Sequence, residues 1–242
     1  MAEARVTLSV VSHRQNALVN QLLADLARVC AEPPALVVTE NVPDGVAIEA
    51  PAAAERIVND AIKGFGANHN AAFTRCRTEY FCVCNPDIRL DADPFPALIA
   101  QLQDPRIGVA GPLVRNPAGA VEDSARRFPT FLSLVGKAFA DRRAPDYPTD
   151  RGPQEVDWVA GMFMLFRRDA FEAVKGFDEA YFLYYEDVDI CDRLGTSGRK
   201  AVYVPGAEVV HDAQRASRRN AGRAVHHLRS AARFLARRRG RA

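Results

Sequence analysis

Nothing in the 242 residues approaches the roughly 20 consecutive apolar positions that a helix needs to cross a bilayer; the apolar runs are strand-sized and end in charge or proline. A membrane-spanning helix is therefore not expected. Cysteine is scarce: Cys30, Cys76, Cys82, Cys84 and Cys191 are odd in number and have no framework spacing. The N-terminus also lacks the layout of a secretory signal. Both absences argue for a reduced, cytoplasmic protein. Glycine-rich phosphate loops are missing too. The nearest stretch, Gly64-Phe65-Gly66-Ala67-Asn68-His69-Asn70, has neither the G-x-G-x-x-G nor the P-loop spacing and follows no strong strand. There is no internal repeat and no low-complexity segment apart from an arginine-rich tail.

Acids are absent from residues 213–242, which hold ten arginines. The formal charge of +2 therefore conceals a body with 22 basic against 30 acidic residues. An acidic body argues against a nucleic-acid-binding core and suits a site that gathers carboxylates around a divalent cation. At this length, with 48% hydrophobic residues, one sizeable core is expected. The expected organisation is a catalytic domain over 1–212 and a basic helical tail over 213–242.

The β-branched run Val6 to Val11, the polar Ser12 to Gln15 and the pattern Leu18, Leu22, Leu23, Leu26, Val29 read as strand, loop and helix. Further apolar runs, Leu36 to Thr39 and Tyr80 to Cys84, end at Glu40-Asn41 and at Asn85-Pro86-Asp87. Strands alternating with helices imply an α/β fold with a mostly parallel sheet, and ligands of such sheets sit outside the carboxyl ends of the strands. Residues 12–15, 40–44 and 85–87 should therefore meet at one crevice. A helix over Phe95 to Gln103 and a strand over Ile107 to Gly111 follow. Residues 115–155 read as a loop on the acceptor side, and Asp157 to Phe166 as one strand-like run. Asp169-Ala170-Phe171-Glu172 has capping-box spacing. Two last strands, Val202 to Val204 and Glu208 to Val210, precede a helix over 220–239. Its stripe Ala221, Ala224, Val225, Leu228, Ala232, Leu235 runs beside arginines, and such a helix either lies on an anionic membrane or packs against the domain.

Asn85-Pro86-Asp87 ends a buried-looking strand, and Asp87 there can face a diphosphate-bound metal or simply make a turn. The segment Gly176 to Cys191 runs aromatic residues into four acids. The helical spacing of Val188, Cys191 and Leu194 puts Glu186 and Asp187 at a helix N-terminus, where the macrodipole favours ionised carboxylates by roughly 0.3–1 kcal/mol. Ionised, either can act as a general base, whereas Asp189 and Asp192 are expected to face solvent. His211 follows Val209-Val210, and a neutral imidazole at that strand end is a reasonable further metal ligand.

With these residues assembled, the chain resembles the family 2 glycosyltransferases of GT-A fold, and within them the bacterial rhamnosyltransferase-like members that build cell-surface polysaccharides. The resemblance runs over about residues 6–215. It is most specific from Trp158-Val159-Ala160-Gly161 through Arg167 to Phe171, in Gly176 to Glu179, in Tyr184 to Asp189 and at Val210-His211. It implies that Asp87, with Asn85 two positions before it, belongs to the metal-binding D-x-D element. By the same resemblance Asp187 is the base with Glu186 its neighbour, and His211 completes a Mg²⁺ or Mn²⁺ site. It further implies nucleoside binding by Ser12, His13, Glu40, Asn41, Asp44 and Gly45, with Asn70 beside the nucleotide. Trp158 and Gly161 would line the acceptor side, Trp158 either as a platform for a sugar face or as a core residue. The chain departs from the family pattern at Ile62 and at Glu40, where an Asn and an Asp are usual.

The activity so implied is inverting transfer from a nucleotide sugar, dTDP-L-rhamnose or otherwise a UDP-sugar, to a saccharide acceptor, lipid-linked in some members. Such an enzyme would work at the cytoplasmic face of the inner membrane, with 220–239 as a peripheral anchor. A sugar nucleotidyltransferase would need an early triphosphate loop, which is missing. A catalytically dead saccharide-binding protein would not need Asp87, Asp187 and His211 together.

Overall fold

The computed structural model describes residues 4–130, 145–213 and 221–239. The expected loop over 115–155 thus falls partly outside the described residues, as do 214–220 and 240–242 of the tail. In chain order the elements begin β1 (Val6–His13), α1 (Asn16–Val29), β2 (Ala35–Val42), β3 (Glu55–Val58), α2 (Phe65–Phe73), β4 (Tyr80–Cys84) and β5 (Ile88–Arg89). Next come α3 (Phe95–Leu102), β6 (Ile107–Arg115), β7 (Val121–Glu122), β8 (Ala125–Arg126), β9 (Gln154–Val156), β10 (Trp158–Val159) and β11 (Phe163–Arg167). The chain continues with α4 (Arg168–Ala173), α5 (Glu186–Thr196), β12 (Lys200–His211) and α6 (Ala221–Arg239).

One large sheet runs in the order β3-β2-β1-β4-β11-β6-β12-β5, with β7 on β6 and β9 on β12. β1 pairs in parallel with β2 and β4, and β6 with β12, while β11 is inserted antiparallel between β4 and β6. The sheet is therefore mixed, with a parallel half. Its central strands are covered on both faces, which is why β4 is buried at every position and reads as an unbroken apolar run. Leu22, Leu23 and Leu26 of α1 join Val6, Leu8 and Val10 in one buried cluster. Phe81, Phe166, Phe171 and Phe177 interlock in the other, with ring centroids 5.0–6.1 Å apart.

Several local expectations fail, each for a tertiary reason. The run 157–166 is split into β10 and β11, because Trp158 and Val159 leave the large sheet to pair with β8. The loop reading of 115–155 misses β7, β8 and β9, each only two or three residues long. The two last strands are one strand whose register on β6 shifts between Val204 and Glu208. No capping box forms at Asp169, whose carboxylate instead meets Arg167 and Arg199 at 3.0 Å each. Ala231 and Phe234 of α6 are buried in the second cluster, and Leu235 packs against it. No helix among the described residues is long and apolar enough to cross a membrane.

Candidate active site

The carboxyl ends of β1, β2 and β4 lie side by side, and the polar residues there form two hydrogen-bonded groups. The first centres on Asn16, the opening residue of α1, which is buried. Its amide donates to Glu40 Oε1 at 2.8 Å and to the Val46 carbonyl at 2.7 Å, while its oxygen accepts the Ser12 hydroxyl. Its backbone N–H donates to Asp44 Oδ2 at 3.0 Å. Ser12, Glu40 and Asp44 are therefore joined through Asn16, which no sequence motif singles out. The second group centres on Asn41. Its amide donates to the Lys63 carbonyl at 2.9 Å and meets His13 Nδ1 at 3.2 Å. Its oxygen accepts Asn59 Nδ2 and the Lys63 N–H, both at 2.9 Å. Buried Asn68 closes this network through Asn59 at 2.6 Å.

Asn70 is placed differently from expectation. Its amide donates to the Phe177 carbonyl at 2.9 Å and to Glu179 at 3.0 Å, and its oxygen accepts the Phe177 N–H at 2.9 Å. The side chain thus ties α2 to the Gly176-to-Glu179 loop and does not face the β2 end; Asn68, two residues earlier, does that.

Asp87 stands between β4 and β5. β5 pairs antiparallel with the end of β12, matching Ile88 to His211, so a two-residue strand delivers the carboxylate to the imidazole. The corner is pinned by Asp212 N–H to the Asp87 carbonyl at 2.8 Å and by Arg89 to buried Asp25 at 3.0 Å. His211 Nε2 lies 3.3 Å from Asp87 Oδ2, and Nδ1 lies 2.7 Å from Glu122 Oε2 on β7. Burial opposes charge on His211, but the hydrogen bonds and charges of Asp87 and Glu122 prevail and push its pKa up to about 9. The expected neutral imidazole is thus disposed to hold a proton, which it would have to lose to become a ligand. Asp87 Oδ1 is buried and has no protein partner. No group of three or more His, Cys, Asp or Glu among the described residues is arranged to hold a metal alone. A carboxylate with one free buried oxygen beside an imidazole whose far nitrogen is fixed by another carboxylate does suit a divalent ion that takes its remaining ligands from a diphosphate.

Glu186 and Asp187 open α5 as expected, but in unusual surroundings. Tyr184 and Tyr185 just before them have φ of 70° and 69°. This left-handed backbone costs roughly 1–2 kcal/mol per non-glycine residue, and is found where surrounding contacts enforce it. Asp187 Oδ2 accepts the Gly161 N–H at 2.9 Å and Oδ1 the Val188 N–H at 2.9 Å. Met162, next to Gly161, accepts the Asn85 N–H at 2.9 Å, so a short chain of bonds links Asp187 to the Asn85-Pro86-Asp87 corner. Asn85 contributes its backbone to that corner. At the other side, the Phe65 N–H donates to the Phe182 carbonyl at 3.0 Å, and a Cβ on Gly64 would stand 2.7 Å from that oxygen. Only glycine permits this approach.

Burial opposes the expected ionisation of both acids. Glu186 is pushed up to about 8, first by burial and then by the Asp187 charge, and its Oε2 is buried without a partner. A macrodipole worth roughly 0.3–1 kcal/mol is too weak to oppose this, since each pKa unit is ~1.4 kcal/mol. Asp187 is also raised by burial, against which the Gly161 and Val188 N–H groups and the charge of Arg126 favour the carboxylate. Burial thus weighs against charge on both acids, and at Asp187 the Gly161 and Val188 N–H groups work against that effect.

Asp189 does not face solvent: it is fully buried, held by Arg193 at 2.6 Å and by Arg237 of α6 at 2.7 Å. Asp192 is half-buried and lies 3.7 Å from Arg238. Trp158 is buried too, donating Nε1–H to the Arg127 carbonyl at 3.0 Å with the Arg126 guanidinium over its ring, so it is no open platform. A surface depression of about 560 Å³ is lined by Arg77, Tyr80, Arg167 and Glu172 at the opposite end of β4, away from all these residues.

A family model described as "Glycosyltransferase like family 2" matches residues 4–237. The chain is 32% identical over 194 residues to the rhamnosyltransferase WbbL of Escherichia coli K12, covering 75% of this chain and 74% of that protein. It is 40% identical over 146 residues, 55% of its length, to the N-acetylglucosaminyl-diphospho-decaprenol L-rhamnosyltransferase of Mycobacterium tuberculosis. It spans about half (47%) of that relative. Among solved structures, GalNAc-T7 with UDP, GalNAc and Mn²⁺ superposes with a TM-score of 0.66 at 12% identity, over 87% of this chain and 44% of that one. The mannosyltransferase PcManGT of Pyrobaculum calidifontis, in complex with GDP-Man and Mn²⁺, gives 0.62 at 17% identity, over 89% and 59%. At these identities the two structures establish the GT-A fold alone.

Proposed function

The chain belongs to the family 2 glycosyltransferases, and on that premise we propose that it transfers a sugar, with inversion, from a nucleotide sugar to a saccharide acceptor in cell-surface polysaccharide synthesis. The observation that carries this reading is the pair of acids in the first turn of α5, Glu186 buried and Asp187 held by the Gly161 N–H at 2.9 Å. Asp187 accepts the proton of the acceptor hydroxyl as its oxygen attacks the anomeric carbon. The new C–O bond forms as the bond to the diphosphate oxygen breaks on the opposite face, and the nucleoside diphosphate leaves. General-base assistance of this kind is worth ~10²–10⁴ in rate. The experiment that tests the reaction is transfer to a saccharide acceptor with wild-type and Asp187→Asn enzyme.

Asp87 and His211 are the residues that would hold a Mg²⁺ or Mn²⁺ ion, with Glu122 fixing the imidazole. Bound there, the ion supplies charge neutralisation at the leaving diphosphate. Ser12, Asn16, Glu40 and Asp44, with His13 and Asn41 beside them, form the edge where the nucleoside would lie. Asn85 frames the diphosphate end and Gly161 the acceptor side. The donor is dTDP-L-rhamnose, in line with the rhamnosyl transfer named for both relatives; a UDP-sugar is the alternative. The acceptor is a saccharide, lipid-linked as in the name of the mycobacterial relative. Residues 1–212 include those assigned to transfer, and α6 of the tail packs onto them through Ala231 and Phe234. On α6, Val225 and Leu228 are exposed beside Arg229 and are the surface available for contact with an anionic membrane, at the cytoplasmic face where the acceptor would be presented.

A further inference from the structure

The left-handed turn before α5 does not hold itself. The Tyr185 carbonyl accepts the Asp189 N–H at 2.8 Å, and further support comes from α6, which begins at Ala221. Ser230 Oγ donates to the Leu183 carbonyl at 3.0 Å. His227 stands edge-on to Tyr184 and Tyr185 at 5.6 and 5.3 Å, and Phe234 leans on Tyr185 at 5.9 Å. Arg237 Nη1 reaches Asp189 Oδ1 at 2.7 Å and Asp178 Oδ2 at 3.2 Å, joining the loop before the turn to the helix after it.

We propose that Arg237 is a positioning residue for transfer: by bridging Asp178 and Asp189 it holds α6 over the Tyr184-Tyr185 turn and so fixes where Asp187 stands. Asp187 lies midway between Tyr185, whose backbone is in the left-handed region, and Asp189, which Arg237 holds. A two-residue turn in a rarely adopted conformation relaxes when its outside contacts go, and its relaxation rotates the first turn of α5. Asp189 keeps a second guanidinium when Arg237 is removed, because Arg193 Nε remains 2.6 Å from its other oxygen. The buried carboxylate therefore stays paired, and loss of Arg237 loosens the turn without unfolding the domain. The same contacts give the arginines of the tail a use other than lipid binding, since Arg233 and Arg238 also face acids, Asp178 at 4.0 Å and Asp192 at 3.7 Å.

The proposal rests on the reading of Asp187 as the base, and its test separates the two. Arg237→Met and Arg237→Lys are compared with wild type by hydrogen exchange, melting temperature, donor affinity and steady-state kinetics. In Arg237→Met the amides of residues 183–189 exchange about tenfold or more faster, while those of β1 and β4 are unchanged. Turnover falls about ten- to a hundredfold with donor KM within about twofold, the pattern of a misplaced group, not a lost binding contact. Arg237→Lys recovers part of both. If Arg237→Met does not accumulate as folded protein, Ser230→Ala, which removes only the bond to Leu183, carries the same measurements with smaller changes. Wild-type protection of 183–189 in these variants overturns the proposal whatever Asp187 does. So does a loosened turn with wild-type turnover in an enzyme that Asp187→Asn silences. An active Asp187→Asn enzyme instead removes the base assignment, and exchange at 183–189 still reports on the clamp.

Discussion

Asp187 Oδ2 and the Gly161 N–H meet at 2.9 Å across 26 residues of sequence, and this bond joins the first turn of α5 to the backbone that runs on through Met162 to the Asn85-Pro86-Asp87 corner. It gives Asp187 a fixed orientation and a reason to ionise. Its neighbour Glu186 is buried with its Oε2 unpartnered, and burial pushes its pKa up to about 8.

Glu186→Gln is therefore expected to stabilise the protein at the pH where the wild-type acid is forced to ionise. The folded value of about 8 lies above the unfolded value of ~4.3, so the folded state binds the extra proton and wild-type stability falls as pH rises from about 4 to 8. Glutamine does not titrate. Its melting temperature should match wild type near pH 4, lead it increasingly up to pH 8 and keep that lead above, at ~2–4 °C per kcal/mol for a chain of this size. A difference independent of pH would show that Glu186 is not held protonated.

The metal assignment predicts separate effects for ligands and for the residue behind them. Mn²⁺ binding, followed by the electron paramagnetic resonance of the free ion with nucleoside diphosphate present, should be lost in Asp87→Ala and His211→Ala. It should weaken about 10–100-fold in Glu122→Ala, the usual effect of removing a carboxylate behind a ligating histidine. EDTA should silence transfer. Wild-type Mn²⁺ affinity in Asp87→Ala would reduce the Asn85-Pro86-Asp87 corner to a turn.

The strand ends and their acids were readable because they follow from runs of β-branched and aromatic residues closed by polar triplets, and Ser12, Glu40, Asp44 and Asp87 lie where that logic put them. What the sequence hid depends on partners far along the chain. Glu122 sits on a two-residue strand without periodicity, and only the pairing of β7 with β6 brings it to His211. Asn16 belongs to no motif, and its partners Glu40, Asp44 and Val46 lie 24 or more residues on. Asp189 was misjudged because its second arginine is 48 residues away on α6, and the tail's arginines could not be seen to face acids for the same reason. The position of Glu186 at a helix terminus favours its charge, but burial, which is not visible in the sequence, outweighs the dipole there.

The nucleoside edge predicts donor selectivity. With Mn²⁺ present, dTDP-L-rhamnose should raise the melting temperature more than UDP-sugars at equal concentration, since stabilisation follows RT ln(1 + [L]/Kd). Asn16→Ala, which breaks the link between Ser12 and Glu40, should lower that shift. A larger shift with UDP-sugars, and none with dTDP-L-rhamnose, would replace the donor.

Membrane contact is tested where α6 is free. Val225→Ser/Leu228→Ser protein should sediment less than wild type with anionic vesicles at low salt, and neither should sediment with neutral vesicles. Equal sedimentation of the two proteins, or none by either, would remove the lipid role from this face.

Whether Asp187 takes the acceptor proton in sugar transfer is decided by pairing turnover with donor binding in Asp187→Asn. The side chain keeps its size and its oxygen can still accept the Gly161 N–H, so donor Kd should stay within about twofold while turnover falls by ~10²–10⁴. Turnover within tenfold of wild type, with the donor bound as tightly, would contradict the account.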